Sequence, residues 1–358
     1  MSQSARSEVI AFAKQTGLIY AQHNRPGITR RKSGKRFIYF TTAGKRITEQ
    51  KTIERINALV IPPAYQDVWI CPSPQGHIQA VGKDARGRTQ YRYHPKWREV
   101  RDEAKYEKMI AFGQRLPKIR SRVRRDLKLA GLPRNKVLAT IVRLLETTLI
   151  RVGNEEYAKS NKSFGLTTIQ NRHVKVRGGS IHFEFRGKSG VEHAIDITDQ
   201  RLANVISKCQ ELPEQELFEY VDPDGSRHDV SSTDVNNYLH EIAGEEFTAK
   251  DFRTWAGTVL AAIALKEFEA FDNQTQAKKN VVAAIESVAK KLGNTRAVCR
   301  KCYIHPVVLE TYMDGTLADL LNHQLEEKLR KRLASLKPEE AAVMSMLHAR
   351  LSRGGKSK

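Results

Sequence analysis

The sequence predicts an α+β protein: a small β-rich N-terminal domain, then a mainly α-helical domain that carries a small antiparallel β-sheet insert. Three observations predict it. Short apolar, aromatic-rich runs punctuated by Gly and Pro dominate the first hundred residues. Beyond them the apolar residues recur at helical spacing. Between Gly165 and Ile197 that spacing yields to short β-type runs and Gly-rich turns. A chain of 358 residues has room for two domains. The change of pattern puts them at 1–105 and 106–358, with C-terminal helices from about residue 316.

The elements follow in order. "RFIYF" and "DVWIC" read as strands. Between them "TEQKTIERINAL" reads as a helix stopped by Pro62-Pro63. "HIQAVGKDARGRTQYRYH" reads as two strands around a basic turn. In "NKVLATIVRLLETTLIRVGN" the residues Val137, Ile141, Leu144, Leu145, Leu149 and Val152 fall near one helical face, with Gly153 as C-terminal cap. "GLTTI", "HVKV", "IHFEF" and "VEHAIDI" read as the strands of the insert. "DFRTWAGTVLAAIALKEFEAF" and "QAKKNVVAAIESVAKKLG" restore the helical pattern. The last forty residues read as two amphipathic helices and a basic tail, "RGGKSK".

Charge narrows the partner. Sixty-one Lys and Arg against 40 Asp and Glu give a net +21, which favours a polyanion because each neutralised phosphate releases condensed counterions. No apolar run approaches the roughly 20 residues that span a bilayer, and "MSQSARSEVIAFAK" lacks the apolar core of a signal peptide. Four cysteines make no disulfide framework. The expectation is a cytoplasmic, nucleoid-associated protein with no membrane partner.

Several motifs compete to carry chemistry. Cys299 and Cys302 form a C-x-x-C, but Cys71 and Cys209 stand alone, so a four-ligand zinc site is not completed. A thioredoxin-type pair would open a helix after a strand, whereas a long helix and Gly293 come before this one. Two reduced, partly buried cysteines are the plainer reading. "FRGKSG" ends like a phosphate-binding loop, yet His182 occupies the place of its first glycine and a strand follows. Lys188 is instead expected at a hairpin tip. His173, His182 and His193 are read as ordinary polar positions on strands, and no acidic cluster implies a metal ion. Tyr303, beside the C-x-x-C, has Arg296, Arg300 and Lys301 around it. A phenol attacking a phosphodiester needs arginine forks for the growing negative charge and a proton donor, such as lysine, for the leaving alkoxide.

These segments together resemble the type IB DNA topoisomerases of the small poxviral and bacterial kind, and more distantly the tyrosine recombinases. "LIRVGNEEYAKSNKSFGLTTIQNRHV", "FEFRGKSGVEH", "AKDFRTWAGT" and "LGNTRAVCRKCYIHP" stand in the family's order. The resemblance implies that Tyr303 is the nucleophile, that Arg151, Arg253 and Asn294 hold the phosphoryl oxygens, and that Lys188 is the general acid, assisted by Lys250. Asn294 stands where the poxviral members usually have histidine. An amide donates a hydrogen bond but cannot ionise, which implies a transition-state contact there rather than a base. Tyr157 would contact a backbone phosphate. "GRTQYRYH" is similar to the strand by which the poxviral enzyme meets the major groove, with Gln90, Tyr91 and Tyr93 as reading residues. Alternate strand residues share a face, so the two tyrosines point together, with Arg86, Arg88 and Arg92 nearby for phosphates.

The resemblance further implies a monomer that clamps double-stranded DNA, uses no cofactor, metal or ATP, and relaxes supercoils through a 3′-phosphotyrosyl intermediate. The alternative is a tyrosine recombinase performing site-specific strand exchange. It typically has an H-x-x-R box, whose histidine position is Lys250 here. A third reading is a basic DNA-binding protein without catalysis.

Overall fold

The computed structural model describes residues 9–354 apart from 15, 35, 86, 214, 245–246, 269–270 and 323–333; for 102, 103 and 351–354 it describes the backbone alone. Arg86 and the tail "RGGKSK" from residue 355 on therefore lie outside the described residues. The chain divides into two compact units, Met1–Tyr106 and Glu107–Lys358. No described helix is long and apolar enough to cross a membrane.

The first unit is built on a five-stranded sheet of order β2-β1-β3-β4-β5, antiparallel throughout. Its strands are β1 (Ile28–Ser33), β2 (Arg36–Phe40), β3 (Gln66–Ile70), β4 (Ile78–Lys83) and β5 (Thr89–Tyr93). Residues 9–14 form a short helix, α1, and α2 (Gln50–Ala58) lies between β2 and β3 in sequence. Ile56 of α2 packs with Ile28, Val68, Ile70 and Ala80 of the sheet. β1 has no apolar alternation beyond Ile28, so pattern alone misses it. Pairing on both edges makes it a strand, and Arg30 covers Phe37 at 4.2 Å while donating to the Pro62 and Tyr65 carbonyls. A second cluster joins Ala13 and Leu18 to Trp97, whose ring meets Phe12 and His77 edge-on.

The long helix α3 (Pro95–Asp126) belongs to the second unit from Glu107 onward. Next come α4 (Arg134–Thr148), α5 (Glu155–Asn161), the sheet β6 (Val174–Arg177), β7 (Ser180–Arg186) and β8 (Glu192–Thr198), and α6 (Gln200–Gln210). A two-stranded ribbon of β9 (Glu219–Val221) and β10 (Arg227–Asp229) leads to α7 (Ser232–Ala243), α8 (Ala249–Lys266) and α9 (Gln274–Leu292). The chain continues through α10 (Arg296–Cys302), α11 (Pro306–Met313) and α12 (Leu317–Asn322) to a C-terminal helix, Pro338–Gly354. One apolar core joins these elements, with most of α4 and α8 buried. The C-terminal helix is fastened by charge as well. Arg120 forks onto both Glu340 oxygens at 2.8 and 2.7 Å and reaches Glu146 at 2.7 Å, a bidentate geometry well suited to a buried pair.

Two sequence expectations are corrected here. The helix expected to run to a Gly153 cap stops at Thr148, and its cap is Leu149 in the left-handed region (φ 58°). The Thr148 hydroxyl donates to the Leu144 carbonyl and accepts from the Ile150 amide, closing the end early. "GLTTI" is a single 3-10 turn, Leu166–Thr168, rather than a strand. Its amides at Leu166 and Thr167 are taken by the Arg151 and Val152 carbonyls. The insert therefore has three strands, in the order β6-β7-β8.

Acidification is expected to loosen this fold. Burial is the main cause that holds the imidazoles of His77, His94, His173 and His193 below their ordinary 6.5. The unfolded chain then binds protons more tightly, so the stability is present above 6.5 and is lost as pH falls through it. Burial raises the Glu340 carboxyl, but the bonds and charge of Arg120 outweigh this and hold it below 4.5, so its contribution is lost further down. Glu216, raised mainly by burial, acts with the opposite sign and is outnumbered. Thermal melts between about pH 7.5 and 5.5 should show a falling midpoint; a flat profile would contradict the assignment.

Candidate active site

The candidate residues in the second unit come from segments far apart in sequence. Arg151 lies in the extended loop that follows α4 rather than on the helix. That loop is held by a close backbone approach: a Cβ on Gly165 would meet the Gly153 backbone and the Arg151 carbonyl at 2.7 Å, so glycine is required there. The Arg151 Nη2 donates to Asn294 Oδ1 at 2.6 Å and to the Gly293 carbonyl at 3.3 Å. Burial, then the neighbouring Arg253 charge, lowers the pKa of Arg151, which still leaves a guanidinium charged at any working pH.

Arg253 lies on α8 and is only 4% exposed. Its Nη1 donates to the Leu149 carbonyl and its Nη2 to the Leu292 carbonyl at 2.6 Å. One side chain thus closes the C-terminal ends of α4 and α9, where a cation is favoured by the carbonyl dipoles. Its Nε is buried with no protein partner among the described residues. The guanidinium carbon lies 5.3 Å from the Tyr303 ring centroid.

Tyr303 ends α10. Its carbonyl accepts from the Thr258 hydroxyl at 3.2 Å, and a Cβ on Gly257 would come within 2.7 Å of the same oxygen. α8 therefore supplies Arg253 to the tyrosine ring and a glycine-sized gap to its backbone. Asn294 follows α9, whose last turn closes on Gly293 in the left-handed region (φ 56°) with the Asn294 amide on the Ala289 carbonyl. Since Arg151 occupies Oδ1, the carboxamide NH2 is the free hydrogen-bonding end of Asn294, with only a 3.4 Å contact to the Leu292 carbonyl.

Lys188 stands at the β7–β8 hairpin tip, exposed, beside Ser189 at φ 66°. Its Nζ is 5.7 Å from the Tyr157 ring, itself 47% exposed at the start of α5. No carboxylate pairs with Lys188 among the described residues. Lys250 is exposed in the first turn of α8, and no hydrogen bond or ion pair among the described residues brings its ammonium to the other candidates. The structure thus gathers Arg151, Arg253, Asn294 and Tyr303 and pairs Lys188 with Tyr157, while Lys250 lies one turn before Arg253 on α8 without a bond to them among the described residues.

His193 corrects the sequence reading, which took it for an ordinary strand position. On β8 its ring stacks on Phe185 (centroids 5.0 Å, 18°) and lies against both Gly187 and Gly293. Burial, then the charges of Arg151 and Arg253, hold its pKa down, so the ring is neutral. Sequence spacing carries no sign of this, because the hairpin and the end of α9 meet only in three dimensions. The cysteines behave as expected: all four are free, and burial pushes the Cys299 thiol up, away from the reactive thiolate. Among the described residues no three His, Cys, Asp or Glu side chains gather as metal ligands.

In the first unit β5 presents the other candidates. Tyr91 is 40% exposed and stacks on half-buried Tyr93 at 5.9 Å. His23 meets Tyr91 edge-on, and Arg101 lies over Tyr93. Asp84 accepts from Arg88 Nε at 2.8 Å and from Gln90 Nε2 at 3.0 Å, and Arg92 donates to the Val60 carbonyl. Arg88 and Arg92 are therefore engaged with the protein rather than standing free for phosphates.

Comparison with known proteins decides the family. A protein described as DNA topoisomerase 1B of Acanthamoeba polyphaga mimivirus is 34% identical over 301 residues, 82% of this chain and 90% of that protein. The chain belongs to the type IB DNA topoisomerases. The family model "Eukaryotic DNA topoisomerase I, catalytic core" matches residues 94–332, and "Bacterial DNA topoisomerase IB, N-terminal domain" matches residues 36–84. DNA topoisomerase 1B of Vaccinia virus (strain Copenhagen) is 22% identical over 246 residues, 68% of this chain and 74% of that protein. A monkeypox virus protein described as DNA topoisomerase I matches to the same extent. The β5 strand of this type IB chain falls between the two family-model matches.

Proposed function

We propose that this type IB topoisomerase relaxes supercoiled duplex DNA through a transient break in one strand, with Tyr303 as nucleophile. The observation that carries the reading is the set of donors around one phenol: Arg253 at its ring, and Arg151 joined to Asn294 beside it. The Tyr303 oxygen bonds to phosphorus and gives up its proton. The bond from phosphorus to the 5′-oxygen breaks, and that oxygen takes a proton from Lys188. The products are a 3′-phosphotyrosine and a free 5′-hydroxyl. One phosphoester has replaced another, so religation runs the same steps backwards and needs no nucleotide.

Arg151, Arg253 and the Asn294 NH2 meet the non-bridging oxygens, where negative charge grows and fixed donors act most strongly. Lys188 suits the acid's role because it is exposed on a turn and free of a carboxylate that would hold its proton. Lys250 is assigned an assisting part in that transfer. Tyr157, stacked beneath the Lys188 ammonium, and the β5 set of Gln90, Tyr91 and Tyr93 would meet DNA, as would Arg86, Arg88 and Arg92. Arg88 and Arg92 must first leave Asp84 and Val60. The net charge of +21 supports binding to a polyanion such as DNA; we further propose that the protein acts as a monomer on the nucleoid in the cytoplasm.

The test is relaxation of negatively supercoiled plasmid in EDTA without ATP, over a salt series. Relaxation that weakens as salt rises is the expected result, since phosphate contacts release counterions. No relaxation at any salt, with DNA binding intact, would sink the reading.

A further inference from the structure

We infer that His193 is a positioning residue for the reaction: its ring is the wedge that sets the Lys188 hairpin against the end of α9. The inference rests on the assignment of Lys188 as the proton donor. Three contacts carry it. On β7 the ring stacks on Phe185, which is itself buried in the core. In the hairpin, a Cβ on Gly187 would lie 2.6 Å from His193 Cδ2 and Nε2. At the end of α9, a Cβ on Gly293 would lie 2.6 Å from Cε1. Gly187 and Gly293 are the residues immediately before Lys188 and Asn294. One imidazole therefore abuts the backbone that carries the acid and the backbone that carries the oxygen-binding amide.

Within the hairpin tip the backbone bonds, Gly187 to Val191 at 2.7 Å and Gly190 to Gly187 at 3.1 Å, fix its shape, and the Phe164 amide on the Arg186 carbonyl at 2.8 Å ties its base to the segment after α5; none of these contacts reaches α9. Both glycines are needed for the ring to fit, since any side chain at either would occupy its space. The charges around the ring are Arg151 and Arg253 on one side and Glu192 on its own strand. A cationic side chain here would be repelled by both arginines, whereas a neutral planar ring fits between the two turns.

The experiment is single-turnover cleavage by three variants on two substrates, ordinary duplex DNA and the same duplex with a 5′-bridging phosphorothiolate. The sulfur leaves without a proton, so that substrate does not need the acid. Lys188→Ala is the reference, His193→Ala removes the wedge, and His193→Gln keeps a neutral planar group in case the alanine variant folds poorly. Thermal melts and DNA affinity are measured for each.

His193→Ala is expected to slow cleavage of ordinary DNA by on the order of 10²-fold, the loss that misplacement by about 1 Å can cause. It should cleave the phosphorothiolate at close to the wild-type rate, and His193→Gln should fall between alanine and wild type on ordinary DNA. If Lys188→Ala is rescued by sulfur but neither His193 variant is, the wedge does not act through the lysine and the inference fails while the acid assignment stands. If Lys188→Ala is not rescued either, the acid assignment falls and takes the inference with it. Wild-type rates for His193→Ala on both substrates would also overturn it.

Discussion

Tyr303→Phe is expected to bind duplex DNA as the wild type does, to form no covalent adduct, and to leave supercoiled plasmid untouched. The loss should be on the order of 10⁴-fold or more, the scale of removing a nucleophile from a catalytic set that acts as a unit. The structure explains why binding and folding should survive. The Tyr303 backbone, not its hydroxyl, makes the contacts that hold the residue, through Thr258, Gly257 and the Cys299 carbonyl. No protein group hydrogen-bonds the phenol oxygen among the described residues. A phenylalanine keeps the ring over Arg253 and should change stability by no more than about 0.5 kcal/mol. Adduct trapping on a denaturing gel, with a binding assay alongside, is the check. Adduct formation by the phenylalanine variant would move the nucleophile elsewhere.

Arg253→Ala is expected to injure the protein twice. Removing one preorganised donor from the phosphoryl oxygens costs about 10²–10³-fold in rate. It also leaves the Leu149 carbonyl at the end of α4 without its side-chain donor, and the Leu292 carbonyl at the end of α9 with only the 3.4 Å contact from Asn294; a buried acceptor left unpaired costs about 1–3 kcal/mol. Cleavage rates measured well below the variant's own melting temperature separate the two effects. Arg253→Lys restores the charge but not the fork, so it cannot serve both carbonyls and the phosphate together. It should recover less than half of the lost stability, read as a melting midpoint nearer to alanine than to wild type. Equal stability of all three proteins would contradict the bridging role.

The strands of the first unit were legible because apolar and aromatic residues recur between clear turn residues; β2, β3, β4 and β5 follow from that. β1 was not, since Arg30 and Arg31 earn their places by lying over Phe37 and Phe40, a relation between strands. The end of α4 was hidden for a different reason. Leu149 adopts a left-handed conformation that no leucine advertises, and the structure pays for it with the Arg253 bond to its carbonyl. The chemical residues were reachable only through resemblance: nothing in the spacing of Arg151, Arg253 and Tyr303 says that they meet. His193 escaped because a strand position was judged by its own strand, while its environment is made by Gly187 and Gly293. Residues that act through shape leave little trace in sequence; those that act through charge leave more.

The anchoring of Tyr303 to α8 has a mechanical side. With Tyr303 as the proposed nucleophile, the broken strand would be tied covalently to the protein through the tyrosine ring, and any torque or tension in the helix would be felt there. α10 is a short helix of seven residues and would be a weak mooring by itself. The pull passes instead from the Tyr303 main chain, through the Thr258 hydroxyl and the close contact at Gly257, into an eighteen-residue helix buried along most of its length. The tether is thus fixed to the keel of the catalytic unit, so that turning DNA strains the molecule where it yields least.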